Sequence, residues 1–374
     1  MIRHDGREAK GHMKPFYFVA LVLALVLAAC AGPRPAQKPG PEAGKEAAPL
    51  GEGTARLGAP GLLARARTAF EAGDYGEATE AARRARAMAP DLDEAWRLEA
   101  RARAATGDRP GALAVWTEVL GRVPGDPEAA EAAARLAADL GRDAEVGELL
   151  AGQGEAASGW AGWLALRAGR PGRARDLLAA AVAAGRTEWR VALGRALLAL
   201  GDLDAAAAEA ERATAERPDD PEAWLLAGDV AREQGLGAEA RAAYEAVLAR
   251  DPGRYAARVN LASVLLSQGE AGAAEELLRE AAEGAPGRPE AWTNLGLALR
   301  SQGRYAEAAE AYHRALEARP GYLPALKNLG ICYEKYLGRL ADAIQVYDRY
   351  LGLAPGDEEV ARWRKAAERR AGEK

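Results

Sequence analysis

Cysteine and histidine are almost absent from this chain: there are two Cys and three His in 374 residues. Cys30 closes an apolar run near the amino terminus, and His4 and His12 precede it, so the remainder keeps only Cys332 and His313. A lone thiol makes no disulfide framework. A zinc site draws on several His or Cys, and a Ser or Cys nucleophile relay needs a base. Neither set is available, and none of the 42 glycines falls in a GxxxxGK[ST] phosphate loop. No catalytic residue, no metal and no cofactor is therefore expected, and the chain is read as no enzyme. Cys332 lies in the apolar stripe Leu329, Cys332, Tyr333, which favours packing over reactivity. Aromatics are also scarce, with three Phe and 6% overall. Against abundant Ala and Leu, this argues for many small helix contacts rather than a sandwich or barrel. The expected class is all-α. At 28% charged and 49% hydrophobic, the chain is not mainly disordered.

No apolar run is long enough to span a bilayer comfortably. Residues 16–27 (FYFVALVLALVL) are uncharged and follow Arg3, Arg7, Lys10 and Lys14, which is the form of a signal-peptide core. Met13-Lys14-Pro15 would begin a more typical signal than Met1 does. The run ends in Leu27-Ala28-Ala29-Cys30, which resembles the bacterial lipobox, and the resemblance implies cleavage before Cys30 and lipidation of its thiol. An ordinary cleaved signal and an uncleaved anchor are the alternatives. Ala31 and Gly32 follow the Cys, and lipoproteins without Asp at that place usually proceed to the outer membrane. Residues 1–29 form the expected signal. Residues 30–58 form the tether, with five Pro and six Gly after Cys30 and no helical period. Coil statistics put its span on the order of 30 Å. Removing residues 1–29 leaves 46 Lys plus Arg against 53 Asp plus Glu, a formal charge of −7, so no nucleic-acid partner is expected.

From residue 59 the sequence repeats. Gly recurs at 73, 107, 141, 169, 201, 235, 269, 303 and 338, mostly 34 residues apart. Each of these nine units reads as two helices, with the Gly closing the first in a left-handed turn. Pro90, Pro124, Pro218, Pro252, Pro286, Pro320 and Pro355 stop the second helices. The eighth position of every unit is small: Ala66, Ala100, Ala134, Gly162, Gly194, Gly228, Ala262, Gly296 and Gly330. Small residues there let the paired helices approach closely, and stacked units bury a continuous core. Short intervals around 141–201, where Trp160, Trp163 and Trp189 lie, mark an irregular middle. Large rings filling gaps left by missing helix turns are favoured there over a bend or an aromatic partner site. The repeats run over 59–357, and residues 358–374 read as a capping helix with Val360 and Trp363 inward.

Residues 289–322 match the tetratricopeptide pattern at Trp292, Leu295-Gly296, Tyr305, Ala308, Tyr312, Ala315 and Pro320. Residues 221–254 match at Trp224, Gly228, Ala240, Tyr244 and Pro252. The array resembles the tetratricopeptide repeat (TPR) family, which implies a right-handed superhelical solenoid that binds other proteins. With the lipobox, it is similar to the TPR outer-membrane lipoproteins of type IV pilus secretin assembly and gliding motility. The resemblance implies a periplasm-facing scaffold whose partners are envelope-assembly components and whose membrane contact is the lipid on Cys30. A periplasmic chaperone or a regulatory subunit of a cell-wall or polysaccharide-export enzyme is the alternative.

Asn260, Asn294 and Asn328 recur at 34-residue spacing, each just before the Leu of its first helix, where the TPR fold faces its concave groove. An amide both donates and accepts, so such a ladder can hold a peptide backbone, the alternative being that Asn is simply common at this position of the repeat. Ser263, Leu297, Arg300, Ser301, Lys327, Ile331 and Lys335 are expected on the same surface, the basic ones favouring an acidic ligand.

Overall fold

The computed structural model describes residues 57–373. The expected signal peptide, Cys30 and the tether through residue 56 lie outside the described residues. The chain divides into two compact units, the first ending at Glu209 and the second starting at Ala210. Among the described residues all regular structure is helical.

The first unit holds α1 (Ala59–Glu71), α2 (Tyr75–Met88), α3 (Asp93–Ala105), α4 (Arg109–Arg122), α5 (Pro127–Leu140), α6 (Asp143–Ala151), α7 (Glu155–Arg167), α8 (Pro171–Ala183) and α9 (Arg190–Leu200). The division between units falls within α10 (Leu203–Glu216). The second unit contains α11 (Pro221–Glu233), α12 (Gly237–Arg250), α13 (Tyr255–Ser267), α14 (Ala271–Gly284), α15 (Pro289–Ser301), α16 (Tyr305–Ala318), α17 (Leu323–Ile331), α18 (Leu340–Leu353) and α19 (Glu358–Gly372). Odd-numbered helices through α17 are the first helices of the nine repeats, and even-numbered ones are the second.

All nine repeat glycines are left-handed, with φ between 67° and 85°, and among the described residues no other residue type takes positive φ. A Cβ on Gly235 would meet nothing within 4 Å, so the turn needs the dihedral rather than the space. All seven repeat prolines lie in the turns beyond the second helices. Three of those turns are tied to the next helix in the same way. The indole N–H groups of Trp96, Trp224 and Trp292 donate to the carbonyls of Pro90, Pro218 and Pro286, at 3.0, 2.7 and 3.2 Å.

The small eighth positions are where helices touch. A Cβ on Gly228 would stand 2.6 Å from Tyr244 Cε1, and one on Gly162 would stand 2.6 Å from Leu178 Cγ. The rings of Tyr312 and Tyr347 press on Gly296 and Gly330 in the same fashion. Tyr244, Tyr312 and Tyr347 are fully buried.

The irregular middle has a physical cause. α6 spans only nine residues, and a 3₁₀ turn at Thr187–Trp189 replaces the first turn of α9. Trp160 meets Trp163 and Trp189 edge-on, with centroids 5.8 and 4.8 Å apart. Trp189 is buried against Gly159, where any Cβ would collide with its ring. The rings pack one another there, as expected of gap fillers. In the last repeat, one residue longer than its neighbours, a π-helical turn at Cys332–Tyr336 follows α17. In α19, Val360 is fully buried and Trp363 packs against Tyr347 at 6.2 Å, and Asp357 caps the helix by accepting from the Glu359 and Val360 amides.

Candidate functional site

The Asn row lies on α13, α15 and α17, and all three side chains are half-buried. Asn260 Nδ2 donates to Asp229 Oδ1 at 2.9 Å, and Asn294 Nδ2 donates to Ser263 Oγ at 3.4 Å. Each partner lies 31 residues earlier, on the preceding first helix. For Asn328 that place is Leu297, which offers no acceptor, so its Nδ2 turns to the Pro324 carbonyl of its own helix at 2.9 Å. Its Oδ1 accepts from Arg300 at 3.0 Å. One N–H of each amide is therefore engaged inside the fold, and the row ties first helices together. The amide oxygens of Asn260 and Asn294 make no hydrogen bond among the described residues.

The other expected groove residues are placed unequally. Leu297 and Ile331 are half-buried apolar side chains, and Ser301 is exposed with its hydroxyl on the Ala298 carbonyl at 2.8 Å. Lys327 is met from inside the chain: its Nζ is 2.9 Å from Glu359, 3.7 Å from Asp357 and 5.0 Å from the Trp363 ring centroid. Lys335 sits over the same ring at 5.5 Å. Trp363 follows Asn328 by 35 residues and so stands where the row's next Asn would be. The cap thus pairs with Lys327, whereas Lys335 stays exposed and meets only the ring. Arg300 is different. It is half-buried, bonds Asn328, and has no ion pair among the described residues.

Sequence reasoning missed the tyrosine hydroxyls, which reach from the second helices to side chains of the first. Tyr244 donates to Asp229 at 2.7 Å, and Tyr347 donates to Glu334 at 3.0 Å. Burial, reinforced by the neighbouring carboxylate, holds both phenols well above their ordinary pKa. Glu334 is also bonded by Arg370 of α19 at 3.0 Å. Arg232 pairs with Glu233 at 2.8 Å. Burial opposes its charge, but Tyr244, Glu233 and Asp229 outweigh that and raise its pKa. Tyr312 is buried as deeply as the other two tyrosines, and its hydroxyl has no partner. A signal was available in the ninth and twelfth positions of the first helices, which read Asp229, Ser263, Leu297, Ile331 and Arg232, Leu266, Arg300, Glu334.

Cys332 is buried with its thiol on the Tyr305 carbonyl at 3.3 Å, and burial pushes its pKa up, which makes it unreactive. His313 is exposed, its Nε2 2.6 Å from the Tyr333 hydroxyl. Among the described residues no group of three or more His, Cys, Asp and Glu could hold a metal ion. None of the described helices is long and apolar enough to cross a membrane. The chemistry on this face is that of hydrogen bonding, apolar contact and two cations, Arg300 and Lys335, without an ion pair among the described residues.

Two family models described as tetratricopeptide repeat match the chain, one over residues 191–254, 234–289, 259–322 and 293–358, the other over 69–136. Together they cover more than half of the sequence, and the chain belongs to the tetratricopeptide repeat family, a class of helical scaffolds for protein–protein interaction. No curated protein matches. Among solved structures, the chain is similar to a thermophilic TPR protein of Thermus thermophilus at 25% identity, over 48% of this chain and 98% of that one, with a TM-score of 0.42. It is similar to MamA of Desulfovibrio magneticus at 19% identity, over 46% and 96%, with a TM-score of 0.42. PilF of Pseudomonas aeruginosa matches at 21% identity, over 45% and 76%, also at 0.42.

Proposed function

We propose that the chain is a lipid-anchored scaffold that holds an extended or helical segment of a partner protein along the first helices of its carboxy-terminal repeats. The work assigned to it is assembly of a cell-envelope machine, from the periplasmic side of the outer membrane. The observation that carries the binding reading is the row of half-buried Asn260, Asn294 and Asn328 on successive first helices, with the Asn260 and Asn294 amide oxygens making no bond within the described fold. A row of acceptors at constant spacing suits backbone N–H groups of a bound segment, whatever its side chains. Leu297 and Ile331 add apolar contact beside it.

The anchoring reading rests on Leu27-Ala28-Ala29-Cys30 at the end of the apolar run. Two or three acyl chains, at about 0.8 kcal/mol per buried methylene, make release effectively irreversible.

Binding is tested by changing all three Asn to Ala, checking helicity by circular dichroism, and measuring partner capture. Loss of capture with the fold intact is expected, and undiminished capture moves the site to another face. For the anchor, Cys30→Ala is expected to abolish labelling by radioactive palmitate, and continued labelling in the same membrane fraction excludes it. Capture of secretin, motility or export components fits the scaffold, whereas capture of a cell-wall enzyme points to a regulatory subunit.

A further inference from the structure

The repeats of the second unit differ in one polar detail. Where a tyrosine from the second helix presses on the small glycine of the first, its buried hydroxyl needs an acceptor, since an unmet buried polar group is costly. Tyr244 finds Asp229, at the ninth position of its first helix, and Tyr347 finds Glu334, at the twelfth. Of the two repeats between them, the one built on Gly296 and Tyr312 has Leu297 at the ninth position and Arg300 at the twelfth. Both carboxylate places are taken by residues that cannot accept. The Tyr312 hydroxyl is left buried and unpartnered, with the Arg300 guanidinium, the Cys332 thiol and the Tyr336 phenol as its charged and polar surroundings. Arg300 gives one N–H to Asn328 and has no carboxylate among the described residues.

We propose that this repeat takes its missing carboxylate from the bound partner, with Arg300 as the cationic seat and the Tyr312 hydroxyl as a second donor. The proposal rests on the protein-binding reading above and specifies the ligand: a peptide segment bearing an acidic group opposite Arg300. Guanidinium has five N–H donors in a fork that suits a carboxylate, and only one is engaged here. The hydroxyl is buried in this structure, so a carboxylate meets Arg300 first, and its bond to Tyr312 requires side-chain movement around that hydroxyl. Lys327 cannot play this part while Glu359 and Asp357 hold it, and Lys335 is an exposed side chain over the Trp363 ring that bonds none of the asparagine row.

The test is retention of the full-length chain on immobilised random peptides of about ten residues, made in four forms. The random positions either include or omit Asp and Glu, and the peptides end in a free acid or an amide. Retention by carboxylate-bearing forms is expected to exceed that by the amide form without Asp or Glu by about tenfold, as for hydrogen bonds to a charged group. Acid against amide then tells a terminal carboxylate from a side-chain one, and either supports the proposal. Arg300→Leu is expected to erase the preference. The previous repeat already carries Leu266 at this position, so the fold accommodates the change.

Tyr312→Phe is expected to hold or raise the melting temperature, because it removes an unpartnered hydroxyl, while weakening the preference severalfold. A gain in stability with a loss in binding is a signature that a purely structural tyrosine does not give. Equal retention of all four forms, or an undiminished preference in Arg300→Leu, overturns the carboxylate seat and leaves peptide binding standing. Retention of no form overturns the protein-binding reading itself.

Discussion

The two units are built from the same repeat but close their cores differently. In the first, the largest fully buried side chains are all leucines: Leu113, Leu120, Leu150, Leu164 and Leu178. In the second, they include Tyr244, Tyr312 and Tyr347, two of them packed on a glycine that admits no Cβ beside a tyrosine ring at Gly228 and Gly296, and the third at Gly330. Leucine ends where the core ends. Tyrosine carries a hydroxyl past it, so the second unit must supply polar side chains on its first helices. The first unit handles buried charge by direct pairing: Glu99 is bonded by Arg86 and Arg103, and Asp126 is bonded by Arg97 at 2.6 Å while capping α5. The choice of core residue thus decides which unit presents a polar face.

The largest expected effect breaks the tyrosine packing. Gly296→Leu is expected to cost roughly 1–3 kcal/mol in denaturant unfolding, with the Trp292 fluorescence transition shifted earliest, and an unchanged transition would refute the close contact. The comparison sharpens with a double variant. Gly296→Ala alone is expected to destabilise, and adding Tyr312→Leu to recover most of the loss, because Ala262 and Leu278 already occupy these places one repeat earlier.

Turn glycines should not distinguish the units. Gly107→Ala in the first (φ 85°) and Gly235→Ala in the second (φ 76°) each force an L residue into the left-handed region in open space. Each is expected to cost about 1–2 kcal/mol, and unequal losses by calorimetry would mean that the turns differ after all.

Removing the cap of the second unit has a smaller effect, about 1 kcal/mol for Asp357→Ala. Burial pushes the Asp357 carboxyl pKa up, but the Val360 amide, the Tyr350 hydroxyl and the Lys327 charge outweigh this and hold it below the ordinary carboxylate value. With the folded-state value depressed, this contribution is present above the unfolded pKa of about 3.9 and is lost as pH falls through the folded one. Hydrogen-exchange protection of α19, relative to the unfolded chain at the same pH, is therefore expected to fall below about pH 4, and Asp357→Asn to flatten that dependence. The smallest effect concerns the indole ties. Trp96→Phe and Trp224→Phe each lose one exposed hydrogen bond, and matched losses of about 0.5–1 kcal/mol are expected from melting curves.

Much of this architecture is legible in the sequence because it depends on positions that tolerate few residues. Left-handed φ selects Gly at nine turns, and close helix contact selects Gly or Ala at the eighth position, so both repeat visibly. The face was less legible. The Asn spacing marks the row, but whether an amide faces a ligand or a neighbour depends on the residue 31 places earlier: Asp229 and Ser263 accept, and Leu297 does not. The fate of Lys327 and Lys335 depends on how α19 lies over the last repeat, which no period encodes. Likewise, the unmet Tyr312 hydroxyl becomes visible only when three repeats are compared at two positions together.

The π turn at Cys332–Tyr336 has an evolutionary consequence. Tyr244 and Tyr312 each follow their glycine by 16 residues, whereas Tyr347 follows Gly330 by 17, and its ring still lands on that glycine. One widened helical turn has swallowed an inserted residue before it could rotate α18 out of phase. An insertion that would have scrambled a tightly meshed interface is thereby silent to everything downstream. Repeat arrays that can make this adjustment inherit length changes inside helices as well as in loops, and a family pattern searched at fixed spacing will misalign such a repeat by one position.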